Sequence, residues 1–465
     1  MNRVGLAAAL AALVVLGAPP LHAGAARSPA PHHVAWQELV HQGPSAGVKA
    51  VATDGDVVAG AGYTSNETGS PRLTVIASRA SSGAVLWTQK LDVTSIAQQV
   101  AIGGGVVAVA GFDLTHAQST GWFVRAYDAR TGKVLWTDRM AADVHNQGNA
   151  LAVALSGGKV YAAGFTGSCE FYGAKGCAAT LRAYDARSGA KAWERTVGLQ
   201  TAFSTYSALT VADGRLVAAG GWGDPLGFYP SGLLVQSYDP ADGLPEWTAP
   251  VTTGAAGFGA AFESATAVAV DHGIVAVGGK TGTLEGATKF VVRTFDATTG
   301  APGWSDVAPG GARSDTVNGL AFTTGRLVAA GMTAQPGGDE AYTVRAYDVK
   351  TGKLAWSDRL QSKAVNPGHQ LEEAYAVVAR GDRAYVVGRA GRTCETDDPG
   401  NCDVVVRAYD EAGKQVWADN YDQSGRDDIG QAAALSADRL VVGGSATGSY
   451  PNGLESKWLV RAYRI

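Results

Sequence analysis

The stretch Ala126-Tyr127-Asp128-Ala129-Arg130-Thr131-Gly132-Lys133-Val134-Leu135-Trp136 constrains the fold of this chain more than any other, because it recurs. Ala183-Tyr184-Asp185 leads to Ser188-Gly189 and Trp193, and Ala346-Tyr347-Asp348 leads to Thr351-Gly352 and Trp356. Weaker copies end at Trp87, Trp247 and Trp304, and the copy from Ala408-Tyr409-Asp410 to Trp417 is one residue shorter. Each copy reads as strand, tight turn, strand. The Asp can hydrogen-bond amides of its own turn, and the Gly can take a positive φ that other residues resist. The Trp brings a large aromatic surface to an interface. Asp128, Asp185 and Asp348 are therefore expected to make turns and not to act as catalytic carboxylates.

The two ends of the chain complement each other. Val34 to Val40, with Trp36, looks like the last strand of a repeat that nothing precedes. Trp458 to Tyr463 looks like the first strand of the motif, and no Trp follows it. The N-terminal strand can complete the C-terminal repeat, closing a ring and removing an unpaired edge. With Trp36 included, the docking residues are Trp36, Trp87, Trp136, Trp193, Trp247, Trp304, Trp356 and Trp417, spaced by 49 to 61 residues. That spacing suits a four-stranded unit with loops. In the third unit the strands read as Asn149 to Leu155 (A), Lys159 to Phe165 (B), Ala179 to Tyr184 (C) and Ala190 to Arg195 (D). Equivalent B strands recur at Arg215, Ile274, Arg326, Arg383 and Arg439. Val, Ala, Leu and Gly on both faces fit sheets buried between neighbours.

These residues resemble the tryptophan-docking motif, A-x-D-x-x-T-G-x-x-x-W, of the pyrroloquinoline-quinone (PQQ) repeat family, over residues 34–465. The resemblance implies an all-β fold: an eight-bladed β-propeller of four-stranded antiparallel blades, with the N-terminal strand completing the C-terminal blade. Some members are PQQ-dependent dehydrogenases. Others, such as the propeller lipoprotein that assists outer-membrane protein assembly, bind no cofactor. The chain lacks the adjacent cysteine pair of the alcohol-dehydrogenase branch and the C-x-x-C-H of quinohaemoproteins.

The 465 residues would suggest several domains by length alone, but repeats stack into one body. We expect a signal peptide over 1–25, a linker over 26–33 and the propeller over 34–465. Arg3, the apolar stretch Val4 to Gly17 and the small-residue site Ala23-Gly24-Ala25 carry the first expectation. The apolar run, about 14 residues, is short for a membrane span. The protein is thus expected outside the cytoplasm, secreted or periplasmic. A net charge of −4 with 17% charged residues offers no basic surface for nucleic acid. The 62 glycines lack a Gly-X-Y period and read as turns. Cys169 and Cys177 are eight apart, as are Cys394 and Cys402, and an exported chain can keep both pairs as loop-stapling disulfides. Zinc ligands come closer together than this.

In a meander, A–B and C–D turns share one face, and B–C and D–A loops share the other. Here the A–B and C–D turns are short. Every long loop lies on the opposite face, with both cysteine pairs, Trp222, Phe228, Tyr229 and Tyr450. Loops on a rigid scaffold carry function, so this loop face is the expected binding face. The residues opening strand A on that face, Gln98, Asn149, Glu263, Asp315, Asn318, Glu373, Asp428 and Gln431, are the candidate ligand or cofactor residues. Their carboxylates could hold Ca²⁺ through oxygen. They could equally line a water-filled channel and cap strand ends.

Other motifs fail on context. Gly43-Pro44-Ser45-Ala46-Gly47 matches G-x-S-x-G, but no helix follows it. Gly279-Lys280-Thr281 resembles the end of a P-loop without its first Gly. His145 and His369 fall in D–A loops, and Asn66-Glu67-Thr68 is a glycosylation sequon. The reading that results is an exported, monomeric, non-catalytic scaffold binding a protein, glycan or small molecule, with no cofactor. The alternative is a PQQ- and Ca²⁺-dependent dehydrogenase reduced to its propeller core. A lyase or hydrolase using the channel carboxylates stands third.

Overall fold

The computed structural model describes residues 33–41, 43–116, 119–140, 147–167, 176–198, 203–223, 232–252, 261–283, 287–308, 315–335, 339–362, 371–391, 402–450 and 453–465. Residues 33–465 form one compact unit. Among the described residues every regular element is a β-strand, and the strands are numbered β1 to β31 in chain order. They pair as antiparallel meanders. Four-stranded sheets run from β9 (Gln147–Ser156) to β12 (Lys191–Val197) and from β13 (Phe203–Ala212) to β16 (Pro245–Thr252). Three more run from β17 (Ala261–Asp271) to β20 (Pro302–Val307), β21 (Thr316–Phe322) to β24 (Leu354–Leu360), and β25 (Glu373–Arg380) to β28 (Gln415–Tyr421). A seven-stranded sheet runs from β2 (Ala46–Asp54) to β8 (Val134–Arg139). Within it, β5 (Val85–Gly103) is 19 residues long. Its first half pairs with β4 (Pro71–Arg79) and its second with β6 (Val106–His116). A D strand and the next A strand are thus continuous.

The last sheet joins the chain ends. Its order is β1 (Val34–Val40), β31 (Gly453–Arg464), β30 (Arg439–Tyr450) and β29 (Asp428–Leu435). Trp36 lies opposite Ala462 and Val40 opposite Trp458. The strands read from sequence in the third unit fall in β9, β10 (Lys159–Gly167), β11 (Cys177–Asp185) and β12.

The turn chemistry follows the sequence reading. Asp128 Oδ1 accepts the amides of Arg130 and Thr131 at 3.2 and 3.0 Å, and Gly132 has φ 70°. The Gly also has a second, steric role. A Cβ on Gly132 would lie 2.7 Å from the ring of Trp87, which belongs to the preceding repeat. The same holds for Trp136 on Gly189, Trp193 on Gly243, Trp247 on Gly300, Trp304 on Gly352 and Trp356 on Gly413. Trp36, from β1, sits in the same way on Gly83, between β4 and β5. The indole N–H then donates to a turn carbonyl, as from Trp36 to Ala80 at 2.7 Å and from Trp136 to Ala186 at 2.9 Å. The ring also meets the motif aromatic of the next repeat, with Trp136–Tyr184 centroids 5.0 Å apart. Trp193 and Trp356 lack the indole hydrogen bond. The carbonyl equivalent to Ala186 O is that of Pro240, which already takes Lys159 Nζ and Tyr161 OH, and the turn facing Trp356 is the shortened one.

A polar clamp lies beside the docking rings. Two residues after the Trp, Asp138, Asp306, Asp358 and Asp419 reach the next sheet. Asp358 accepts from Arg407 and from Tyr409 OH, both at 2.7 Å. Asp306 does the same for Arg345 and Tyr347, Asp419 for Arg461 and Tyr463, and Asp138 for Arg182 and Tyr184. Where the Asp is replaced, the clamp changes. Gln89 stands in for it after Trp87, and the Tyr127 hydroxyl is left without a partner. Ala249 stands in for it after Trp247, and Arg293 turns instead to Glu263.

Candidate functional site

The first strand of each repeat lies against the first strand of the next. β2 contacts β5, β5 contacts β9, and the series continues through β13, β17, β21 and β25 to β29, which contacts β2. Each first strand carries one β-bulge, and the extra residues are Lys49, Gln98, Leu151, Ser207, Thr266, Asn318, Tyr375 and Gln431. A bulge re-aims its side chain and bends the strand. Each faces a glycine of the second strand, such as Gly164, where a Cβ would come 1.9 Å from the Asn149 carbonyl oxygen. Gly62, Gly111, Gly220, Gly279, Gly331, Gly388 and Gly444 are hemmed in the same way. Three of the sequence candidates, Gln98, Asn318 and Gln431, are therefore bulge residues. Their equivalents Lys49, Ser207, Thr266 and Tyr375 escaped sequence reasoning, because the bulge offsets the period of two by one residue.

Bulge side chains bridge to the neighbouring first strand. Asn318 Nδ2 donates to Glu373 Oε1 at 2.8 Å and to the Ala374 carbonyl at 2.9 Å. Arg389 stands 3.6 Å from the other Glu373 oxygen, with its guanidinium 5.7 Å from the centre of the Tyr375 ring. Burial, and then the Glu373 charge, push the Tyr375 phenol well above its ordinary range. Asn318 and Glu373 are the candidate pair that the structure brings together by a hydrogen bond. Gln98, Asn149 and Gln431 stand half-buried on β5, β9 and β29.

The remaining candidates are committed to the protein itself. Glu263, Asp315 and Asp428 are fully buried. Arg293 grips both oxygens of Glu263, with Nη2 to Oε2 at 2.7 Å. Asp315 Oδ1 accepts the Ala334 amide at 2.6 Å. Asp428 accepts the amides of Gln423 and Thr447, the latter at 2.9 Å. Asp315 and Asp428 cap strand ends, as Ser95 and Ser204 do by accepting the amides of Leu73 and Ala179. Among the described residues no group of three or more His, Cys, Asp or Glu has the arrangement of a metal site.

Asp428 is nonetheless unusual. Burial pushes its pKa up to about 8, against the two amides that favour the anion, with Asp422 and Asp403 adding repulsion. Burial and Asp422 raise Asp403 to about 6. A carboxyl whose folded pKa exceeds its unfolded value holds a proton that the unfolded chain releases, so folding is favoured at low pH. That contribution is present below about 4 and is lost as the pH rises to about 8. The melting temperature should therefore fall by a few degrees between pH 5 and pH 8.5, and Asp403→Asn should flatten the decline. Calorimetry across that range checks it, and a flat profile in the unaltered protein would contradict the assignment.

The A–B and C–D turns are short and share one face, while the other face carries both long connections and short ones, such as the two residues between β6 and β7 (Ser119–Asp128). β9 and β10 are joined through Gly157-Gly158, whereas β10 ends at Gly167 and β11 begins at Cys177. The long B–C and D–A connections share the other face with the openings of the first strands. Cys177 and Cys402 are not free thiols. Cys169 and Cys394, with Phe228, Tyr229, His145 and His369, lie outside the described residues.

Known proteins share this architecture. The fold matches that of BamB from Moraxella catarrhalis with a TM-score of 0.51 at 15% identity, covering 93% of this chain and 99% of that one. It matches quinohemoprotein alcohol dehydrogenase ADHIIG from Pseudomonas putida HK5 with a TM-score of 0.58 at 14% identity, covering 93% of this chain and 76% of that one. A europium-containing methanol dehydrogenase gives a TM-score of 0.58 at 12% identity, with 93% of each chain covered. At such identities the likeness establishes the propeller fold alone. No curated protein sequence matches the chain. The family model described as outer membrane protein assembly factor BamB matches residues 26–226 and 231–401, and the chain belongs to that family of PQQ-type repeats.

Proposed function

We propose that the chain is an exported scaffold that binds another protein through its loop face, on a closed ring of eight four-stranded blades. The eight bulge–glycine pairs, the contact of β29 with β2 and the docking of Trp36 on Gly83 support the ring. The observation that carries the functional reading is the commitment of the buried carboxylates. Glu263 is taken by Arg293, and Asp315 and Asp428 are taken by backbone amides. A Ca²⁺ ion beside a quinone needs several carboxylate and carbonyl oxygens turned toward one point. The described residues of this site do not fit that group. Family membership supports a protein as the partner, since the family description is of an assembly factor. Disulfides Cys169–Cys177 and Cys394–Cys402 would brace two loops of the binding face.

The competing reading is a PQQ-dependent dehydrogenase, favoured by the dehydrogenase neighbours in fold space. The two separate cleanly. Purified protein titrated with PQQ and Ca²⁺ is expected to show no saturable change in quinone absorbance and no dye-linked oxidation of alcohols or sugars. Stoichiometric PQQ binding would overturn the scaffold reading.

A further inference from the structure

Arg130 and Arg187 hold the same place in successive repeats, two residues after the motif Asp, and they behave differently. Arg187 reaches back to the preceding repeat, where its Nη2 donates to the Gly104 carbonyl at 3.0 Å in the turn between β5 and β6. A Cβ on Gly105 would lie 3.1 Å from the same nitrogen. The Thr131 hydroxyl and, more weakly, the Arg187 charge hold the Asp128 carboxyl below its ordinary range. The guanidinium thus fills the crevice between the second and third repeats, beside an aspartate.

Between the first and second repeats the equivalent crevice is a cleft of about 440 Å³. It lies on the turn face, between the turn of β2 and β3 (Val57–Ser65) and the turn of β7 and β8, and Val57, Leu86 and Ile102 form its apolar floor. The difference traces to one residue. The first repeat has Arg79 where the motif has Asp, and the backbone hydrogen bonds of Arg79 to Ala84 and of Gly83 to Arg79 match those of the Asp128 turn. An arginine side chain cannot accept the amides of its own turn. Asp56 does so instead, taking the Ser81 amide at 2.8 Å and pairing with Arg79 at 3.2 Å. Arg130 therefore faces a cation across the interface, and like charges repel. Arg130 and Asp54 both line the cleft, and neither side chain has a hydrogen bond or ion pair among the described residues.

We propose that this cleft binds a zwitterion with an apolar body, an amino acid or dipeptide with a branched or aromatic side chain. Its carboxylate pairs with Arg130, whose planar fork matches that group. Its ammonium donates to Asp54, and its side chain lies on Leu86 and Ile102. The bound carboxylate supplies the counter-charge that Asp128 supplies to Arg187 and that Arg79 withholds from Arg130. The site is on the turn face and does not rest on the scaffold reading.

Methyl-labelled protein titrated with leucine, 4-methylpentanoate and isopentylamine tests this, since the last two each lack one charge of the first. Saturable shifts are expected at the Val57, Leu86 and Ile102 methyls with leucine, and about tenfold weaker binding of either analogue. Arg130→Gln should bring leucine down to the level of isopentylamine, and Asp54→Asn to that of 4-methylpentanoate. Both positions are exposed, so both variants should keep the melting temperature of the unaltered protein. Arg79→Asp, which restores the motif, should draw Arg130 into the cleft and weaken leucine binding several-fold. Absence of saturable shifts at these methyls, equal affinity for the three ligands, an unchanged preference in Arg130→Gln or undiminished binding in Arg79→Asp would overturn the proposal.

Discussion

Removing residues 34–40 will destabilise the protein more than any single substitution. The strand pairs with β31 along its length, and Trp36 both stacks on Gly83 and donates to the Ala80 carbonyl at 2.7 Å. Glu38 accepts from Ser78 at 2.9 Å across the same boundary. Truncation of a fully buried Trp costs about 3–5 kcal/mol; Trp36 is half-buried and contributes part of that, and the deletion also removes the strand and its pairing with β31. It further bares the β31 edge, a template for pairing with other chains. The expected outcome is a loss of more than about 5 kcal/mol in urea unfolding, together with concentration-dependent association. An unaltered unfolding midpoint would show that β1 is an ornament and not a closure. Trp36→Ala separates the two contributions, since it keeps the backbone pairing and removes the docking.

The second large effect is expected at Asp419. Its side chain is 4% exposed and that of its partner Arg461 is 8% exposed, the most buried of the interblade clamps. Arg461 Nη2 approaches at 3.1 Å and Tyr463 OH donates at 2.8 Å. Asp419→Ala would leave a buried guanidinium without its counter-charge, a change that costs about 3–5 kcal/mol. The pair as a whole adds little over an apolar substitute, because both ions lost water to form it. Asp419→Leu combined with Arg461→Met should therefore recover most of the loss. Asp358, whose side chain is 32% exposed, should give a smaller effect when truncated. Equal losses at the two positions would show that burial does not set the size of the clamp contribution.

The repeat was legible because its residues have local reasons. Asp128 and Gly132 answer to their own turn, and Trp136 is too large to be an accident at a fixed offset. Strand starts at Lys159, Arg215 and Arg383 follow from the turns before them. Features that depend on the neighbouring repeat were harder to read. Gly132 is required by the ring of Trp87 as well as by φ, and that ring lies 45 residues earlier. The W-x-D to R-x-Y clamp was present in the letters, as Trp356-Ser357-Asp358 and Arg407-Ala408-Tyr409. It becomes visible only when one repeat is aligned against the next.

The candidate site was legible as a level along the first strands and not as chemistry. Asn318 and Glu373, two of the eight candidates, are joined by a hydrogen bond that no local pattern foretold. Asp315 and Asp428 carry the same charge and occupy similar places, yet their oxygens face backbone amides. No local pattern tells a carboxylate that caps a strand from one that faces a ligand. Glu263 is a case apart, since its partner Arg293 was released by Ala249 on a different strand.

The most direct test of the scaffold account is photocrosslinking in the native envelope. A crosslinking residue is placed in turn at Glu67 and Ser424, on loop-face connections, and at Lys133 and Lys353, on the turn face. All four positions are exposed. The account predicts discrete protein adducts from Glu67 or Ser424 and none from Lys133 or Lys353. Adducts from the turn face alone, or equally from both, would contradict it.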